Sequence, residues 1–333
     1  MVKKVALVAA VLVTLGWEGL VARAAVQSSP PPKIPIFFDT DIGSDIDDAF
    51  ALALIINSPE LDLLGVTTVS GDTRARARLA AKMLWEAGGA WRRVPVAAGE
   101  SGSPLDIEQT RWAAGFTSSQ LRPEKASDLL RAGFERRPGE ITLVTVGPLT
   151  NVAALLRQDP AVARKIRRLV MMGGSIALGF EPHSPATAEY NIASDPAAAQ
   201  VVFTSGIPIL MAPLDVTAML QLGPTRQARV FTHLSPLTNA LTLLYHLWGH
   251  PTPTLFDPMA VAMLIDPDLC KTQALAIVVD NAGFTRVAQG RPVNATVALH
   301  TDPAKFFHFY LSRVAPELKK EIPPQQRPGK GKP

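Results

Sequence analysis

The chain has a single cysteine, Cys270, in 333 residues. That excludes an internal disulfide and leaves no thiol near the amino terminus to carry a lipid anchor. Stability must come from a packed core, with or without a bound metal. Long hydrophobic runs are also missing: the apolar stretch Val5–Leu15 spans eleven residues, short of the roughly twenty that a membrane span needs. There is no basic stripe interleaved with aromatics either. Lys and Arg exceed Asp and Glu by only 33 to 29, and Lys3, Lys4, Lys319, Lys320, Lys330 and Lys332 place much of that excess at the two ends. No nucleic-acid partner is implied. No internal repeat is evident.

What is present suits a globular protein. Apolar residues make up 47% of the chain, enough for a sizeable core. Met1-Val2-Lys3-Lys4 gives a positive opening, and Ala22-Arg23-Ala24 supplies small residues at cleavage spacing after the apolar run. Residues 1–24 therefore read as a signal peptide, and the mature chain is expected in the periplasm or the medium, off the membrane once cleaved. Residues 25–33 form a Pro-rich linker, 34–321 one folded domain, and 322–333 a Pro, Gln, Gly and Lys tail without core-forming residues.

Within the domain, β-branched runs alternate with Ala/Leu-rich helical stretches. The pattern predicts strands over 36–38, 63–69, 141–146, 168–172 and 208–211, and helices over 48–57, 75–87, 149–157 and 195–204. Such alternation predicts an α/β fold: a mostly parallel central sheet with helices on both faces. In open sheets of this kind ligands bind beyond the carboxyl ends of the strands. Here those ends carry an acidic run, then Ser70-Gly71-Asp72, Gly147-Pro148-Leu149-Thr150-Asn151 and Gly173-Gly174-Ser175.

The acidic run sets Asp39, Asp41, Asp45, Asp47 and Asp48 within ten residues, between a strand-like and a helix-like segment. Unpaired, these acids repel one another, so a bound cation or catalytic work is the usual reason to keep them. If the strand stays extended, Asp39 and Asp41 point to the same side, and Gly43 allows a sharp turn. Asp47 and Asp48 open a helix, where negative charge is favoured, but capping explains neither Asp41 nor the total charge. Oxygen donors without nearby His or Cys favour Ca²⁺ or Mg²⁺ over zinc. EF-hand spacing fails: Ser44 stands at the glycine position and Phe50 at that of the bidentate glutamate. A strand followed by Asp-x-Asp also suits a phosphohydrolase of the haloacid-dehalogenase type, with a nucleophilic Asp and Mg²⁺. That chemistry wants a lysine and a second acidic pair behind later strands, and glycine, asparagine and methionine stand there instead.

The segment Asp39-Thr40-Asp41-Ile42-Gly43-Ser44-Asp45-Ile46-Asp47-Asp48-Ala49-Phe50-Ala51-Leu52 resembles the signature of the inosine-uridine-preferring nucleoside hydrolase family, with two extra residues between the glycine and the paired acids. Gly65–Asp72, Val146–Asn151, Met172-Gly173-Gly174, Ala188-Glu189-Tyr190-Asn191 and Asp257-Pro258 follow in that family's order. The resemblance spans about Ile34 to Tyr310, and six ordered blocks are a far stronger signal than any one of them.

The resemblance implies Ca²⁺-dependent hydrolysis of a ribonucleoside to free base and ribose, through an oxocarbenium-like transition state. Asp41 would be metal ligand and general base, with Asp48, Asp257 and the main-chain carbonyl of Val146 as further ligands. Asp47, Asp72, Met172, His183, Glu189 and Asn191 would surround the sugar. A carboxylate that touches both cation and water can take a proton from water whose pKa the metal has lowered. His183 either meets the ribose 5′ end or is a surface-loop histidine. Asn151 and Thr150 read as helix-start residues, and Asp195 before Pro196 as a helix cap. Relatives form dimers or tetramers, so a homo-oligomer is implied.

One departure concerns the leaving group. Relatives often carry a histidine just before the distal aspartate, where this chain has Phe256, which cannot donate a proton. Tyr245, His246, Trp248 and His250 stand nearby in sequence as candidates to protonate or stack on a base. Segments 104–122 and 220–253 are expected as less regular roofing over the pocket. Two alternatives stay open: hydrolysis of another ribosyl or glycosyl compound by the same site, and an exported nucleoside-binding protein without turnover.

Overall fold

The computed structural model describes residues 32–102, 107–181 and 183–317. The strands are β1 (Ile34–Thr40), β2 (Leu61–Thr68), β3 (Val96–Ala98), β4 (Leu121–Arg122), β5 (Thr142–Thr145), β6 (Arg168–Met172), β7 (Ile209–Ala212), β8 (Cys270–Leu275), β9 (Ile277–Val279), β10 (Thr285–Val287) and β11 (Ala295–Thr301). The helices are α1 (Asp47–Ile56), α2 (Thr73–Ala87), α3 (Ala126–Arg136), α4 (Thr150–Gln158), α5 (Tyr190–Ser194), α6 (Pro196–Phe203), α7 (Leu214–Thr217), α8 (Pro224–Phe231), α9 (Pro236–Trp248), α10 (Phe256–Ile265) and α11 (Pro303–Val314).

Nine strands join one sheet in the order β4-β3-β2-β1-β5-β6-β7-β11-β8. All pair in parallel except β8, which runs antiparallel to β11 at the edge. Side chains along a strand point alternately to its two faces, and the apolar ones divide accordingly. Ile36, Phe38, Val144, Val170 and Met172 enter one core, packed by α1, α2, α9, α10 and α11. Phe37, Leu143, Leu169 and Met171 enter the other, packed by α3, α4 and α6. Every strand and helix expected from the sequence is present within two residues of its expected bounds.

The strand order reverses beside β1. The chain moves outward from β1 through β2 and β3 to β4, then returns to place β5 on the other flank of β1. Connections leaving the carboxyl ends of β1 and β5 therefore diverge and open a crevice, which is where ligands bind in open α/β sheets. The acidic run leaves β1 at that point, and Val146 follows the last residue of β5.

The described residues from Lys33 onward make one compact unit. Tyr310 in the last helix donates a 3.0 Å hydrogen bond to the Phe50 carbonyl in the first. The segment 220–253, expected as irregular roofing, is mostly helical. Ser235 and Thr238 form a capping box over Pro236, and Gly249 ends α9 in a left-handed conformation. Segment 104–122 contains a 3₁₀ turn over Glu108–Ala113 and the short strand β4. Cys270 is a buried core residue whose thiol burial pushes up to about 11. Among the described residues no helix is long and apolar enough to cross a membrane. The expected signal peptide, linker residues 25–31 and the tail lie outside the described residues.

Candidate active site

The five acids of the run do not act together. β1 ends at Thr40, so its alternation stops before Asp41 and the two acids part company. Asp39 is fully buried, accepting from the Thr67 hydroxyl and, at 2.8 Å, from Asn151 Nδ2. Burial pushes its carboxyl up to about 7, against those two hydrogen bonds. Asp41, Asp45, Asp47 and Asp48 instead line a cleft of about 450 Å³ together with Asp257, a volume in the range of small-molecule sites.

Two helix N-termini meet at the bottom of this cleft. Asp47 and Asp48 lie in the first turn of α1, and Asp257 in the first turn of α10. Both helix dipoles favour negative charge there. One carboxylate oxygen from each of Asp47, Asp48 and Asp257 lies within 4.8 Å of the others, and all three residues are buried. Asp47 Oδ2 also accepts from the Asp257 main-chain N–H at 3.2 Å, tying one helix to the other. The Thr40 hydroxyl donates to Asp48 Oδ1.

The electrostatics are those of a site short of positive charge. Burial first, then Asp45 and Asp48, pushes the Asp47 carboxyl well above its usual range; burial and then Asp41 does so for Asp48. Asp257 is raised by burial and then by Asp47 and Asp48. Asp41 is pushed up to about 6 by burial, with the nearby Arg76 guanidinium opposing it. A buried cluster of hard oxygen donors with no soft ligand fits a divalent cation such as Ca²⁺ or Mg²⁺. The nearest triad contains Asp47 where the sequence suggested Asp41, while Asp41 faces the same cleft.

Later strand ends complete the lining. Val146 faces the cleft, and its carbonyl accepts from Asn191 Nδ2 at 3.0 Å; the same amide reaches Met172 O at 3.2 Å. Gly147 is required beside it, because a side chain there would come 2.9 Å from Asp41 Oδ1. Glu189 is buried and lines the cleft, yet its carboxylate caps α5 and accepts from the N–H groups of Gly174, Asn191 and Ile192. Burial holds it up to about 7 despite those three donors.

Several residues singled out in the sequence stand elsewhere. Asp72 is exposed, accepts from Ala75 N–H at 2.9 Å as the cap of α2, and is not in the cleft lining. His183 is exposed on a loop, with φ 65° and outside the lining. The Tyr245 hydroxyl is engaged by the Pro251 carbonyl at 2.9 Å, and His246 is exposed on the same helix. Trp248 and His250 line an adjoining, more open hollow that shares only Ser44 and Asp45 with the cleft. These positions follow from α9 being a regular helix whose inward face is Leu237, Leu241 and Leu244. Thr150, Asn151 and Asp195 do serve helix starts, Asp195 accepting from Ala198 N–H at 2.9 Å.

Sequence reasoning missed the aromatic wall. Phe180, Tyr190 and Phe256 line the cleft, with Phe180 edge-on to Phe256 at 6.2 Å between centroids. Phe256 carried a sequence signal as a departure from an expected histidine and Tyr190 stood within a family block without an assigned role, whereas Phe180 carried none. Among the described residues no histidine lines this cleft.

A family model described as inosine-uridine preferring nucleoside hydrolase matches residues 36–308. The chain belongs to that family. It is similar to the non-specific ribonucleoside hydrolase RihC of Escherichia coli (strain SE11), 36% identical over 313 residues, covering 85% of this chain and 98% of the relative. Among solved structures it is similar to a plant nucleoside hydrolase, PpNRh1, with a TM-score of 0.73 and 26% identity, covering 86% of this chain and 99% of the other. A purine-preferring ribonucleoside hydrolase from Gardnerella vaginalis shares the fold, with a TM-score of 0.71 at 24% identity, covering 84% and 98%. This family member is thus a nucleoside hydrolase, an N-glycosidase, on a mostly parallel nine-stranded sheet.

Proposed function

We propose that the chain hydrolyses the N-glycosidic bond of ribonucleosides, with Ca²⁺ bound among Asp41, Asp48, Asp257 and the Val146 carbonyl, and Asp41 as general base. The observation that carries this reading is the buried convergence of the Asp47, Asp48 and Asp257 carboxylates in one cleft with Asp41. When bound, the cation supplies charge to polarise a water and the ribose 2′- and 3′-hydroxyls. Asp41 takes the water's proton as the water oxygen bonds to C1′. The C1′–N bond breaks, its electron pair leaves with the base nitrogen, and that nitrogen takes a proton from solvent.

Asp47 accepts from sugar hydroxyls, and Asn191 holds the Val146 carbonyl in place. Met172 packs beside the sugar. The base meets Phe256, Phe180 and Tyr190, which offer faces to stack on. Among the described residues no histidine lines the cleft, so departure rests on stacking and on the base's own readiness to take a proton from solvent. That wall also favours, as a second reading, another ribosyl compound whose leaving group needs no acid. The amino-terminal run supports export, so the substrate would be met outside the cytoplasm.

The test is to incubate purified protein with purine and pyrimidine ribonucleosides and nitrophenyl riboside, with Ca²⁺ or chelator, and to follow free base and ribose by chromatography. Chelator-sensitive release of base is the expected result. Release from nitrophenyl riboside alone would move the assignment to the second reading, and none from any substrate would reject hydrolysis.

A further inference from the structure

Between β1 and α1 the loop Asp41–Asp45 carries two of the cleft's acids, yet the loop is held from behind by its main chain. Arg76, in α2, is completely buried. Its Nε donates to Ser70 O at 2.8 Å, while Nη1 donates to the carbonyls of Asp41 and, at 3.0 Å, Ile42, and to Ser44 Oγ at 3.2 Å. Gln109, equally buried, donates through Nε2 to Ser44 O at 3.0 Å and Asp45 O at 2.8 Å. Four of the loop's five carbonyls are thus taken by two side chains from distant segments. The fifth residue, Gly43, has φ +119°, and a methyl there would sit 2.7 Å from Ile107 Cγ2. Neither Arg76 nor Gln109 lines the cleft.

An arginine among so many aspartates would ordinarily pair with one of them, in a bidentate bridge that consumes the carboxylate. Arg76 makes no ion pair among the described residues. Its bonds go to three main-chain oxygens and the Ser44 hydroxyl, none goes to a carboxylate, and its Nη2 has no partner among the described residues. Burying a guanidinium without a paired anion is costly, so this placement calls for a reason beyond packing.

We infer that Arg76 and Gln109 are positioning residues for the reaction, a clamp on the Asp41–Asp45 main chain that keeps its carboxylates free and aimed into the cleft for the divalent cation. The inference rests on the metal reading proposed above. Arg76 adds a fixed positive charge behind the cluster without competing for ligands. Gln109 adds direction without charge.

The test is calorimetric titration of the chelator-stripped full chain with Ca²⁺ for the natural protein and for Arg76→Met, Arg76→Lys and Gln109→Leu. kcat and KM for a nucleoside and the metal-free melting temperature are measured alongside. Supporting groups behind metal ligands typically change affinity about 10- to 100-fold, and losses of that order are expected for Arg76→Met and Gln109→Leu, with kcat falling more than KM rises. Arg76→Lys, which keeps the charge but not the fork, should lose less. Where Arg76→Met does not fold, Gln109→Leu decides alone, since it removes no charge. A lower melting temperature with unchanged Ca²⁺ affinity and kcat would reduce the pair to structural residues and overturn the clamp. Absence of Ca²⁺ binding by the natural protein would instead overturn the metal reading, and this inference with it.

Discussion

At the bottom of the cleft Asp47, Asp48 and Asp257 are at most 4% exposed, whereas Phe180 and Tyr190 on its wall are 44% and 47% exposed. The two regions are held by different means. The acids sit on the first turns of two helices, linked by a hydrogen bond from the Asp257 main chain to Asp47. The aromatics project from a loop and from helix starts, linked by one edge-to-face contact. A rigid, charged base suits the part of a substrate that never changes, the ribose. A looser apolar wall suits the part that varies, the leaving group.

Removing chemistry from the base should cost most. Asp41→Asn keeps the shape but cannot accept the water's proton, so kcat should fall about 10²- to 10⁴-fold, the usual worth of a general base. Ca²⁺ affinity should weaken as well, with circular dichroism and melting largely unchanged. Comparable activity in the variant, measured by base release from inosine, would remove Asp41 from the mechanism.

Metal removal tests the same region through stability. Burial holds Asp41 at about 6 and Asp39 and Glu189 at about 7 in the folded chain, against 3.8 and 4.5 for the ordinary groups. Between those values the folded state keeps protons that the unfolded state has lost. Stability without metal is therefore greatest below about pH 4 as far as these groups are concerned, and it falls as pH rises to about 7. A bound cation favours the ionised acids and should offset that fall at the cluster. At a hundredfold excess over Kd the gain is about 2.7 kcal/mol, on the order of 5 °C in melting temperature. Melting curves from pH 4 to 8, with Ca²⁺ or chelator, should diverge as pH rises; coincident curves would mean no cation binds.

The sequence and the structure agree where one residue type does one thing. Paired acids at a helix start, glycines at strand ends and β-branched runs carry local physics, so five of the sheet's strands, four helices and the acidic run after β1 could be read directly, whereas Asp257 entered only through the family resemblance. Residues with two available roles could not. Asp72 and Glu189 both cap helices, and only tertiary placement separates the exposed one from the one that faces the cleft. Tyr245 and His246 lie close to Phe256 in sequence, but the turn of α9 points them away from the site. Arg76 left no mark at all, being one of three arginines, with Arg74 and Arg78, at alternate positions of an ordinary helix. Only its burial against the acidic loop sets it apart.

The wall should respond more mildly, and in a way that depends on the substrate. Phe256→His gives the cleft a proton donor next to Asp257 while removing the edge-to-face contact with Phe180, worth about 0.5–1.5 kcal/mol. A well-placed general acid gives 10²-fold or more. An imidazole set into a pocket shaped for a phenyl ring should give about tenfold at best, and only where departure of the base limits the rate. Inosine release should therefore rise relative to nitrophenyl riboside, whose leaving group departs without protonation. The ratio of kcat/KM for the two substrates reads this directly, since any damage to the shared ribose site cancels. A ratio that does not move would show that protonation of the base is not limiting, and that the wall acts through stacking alone.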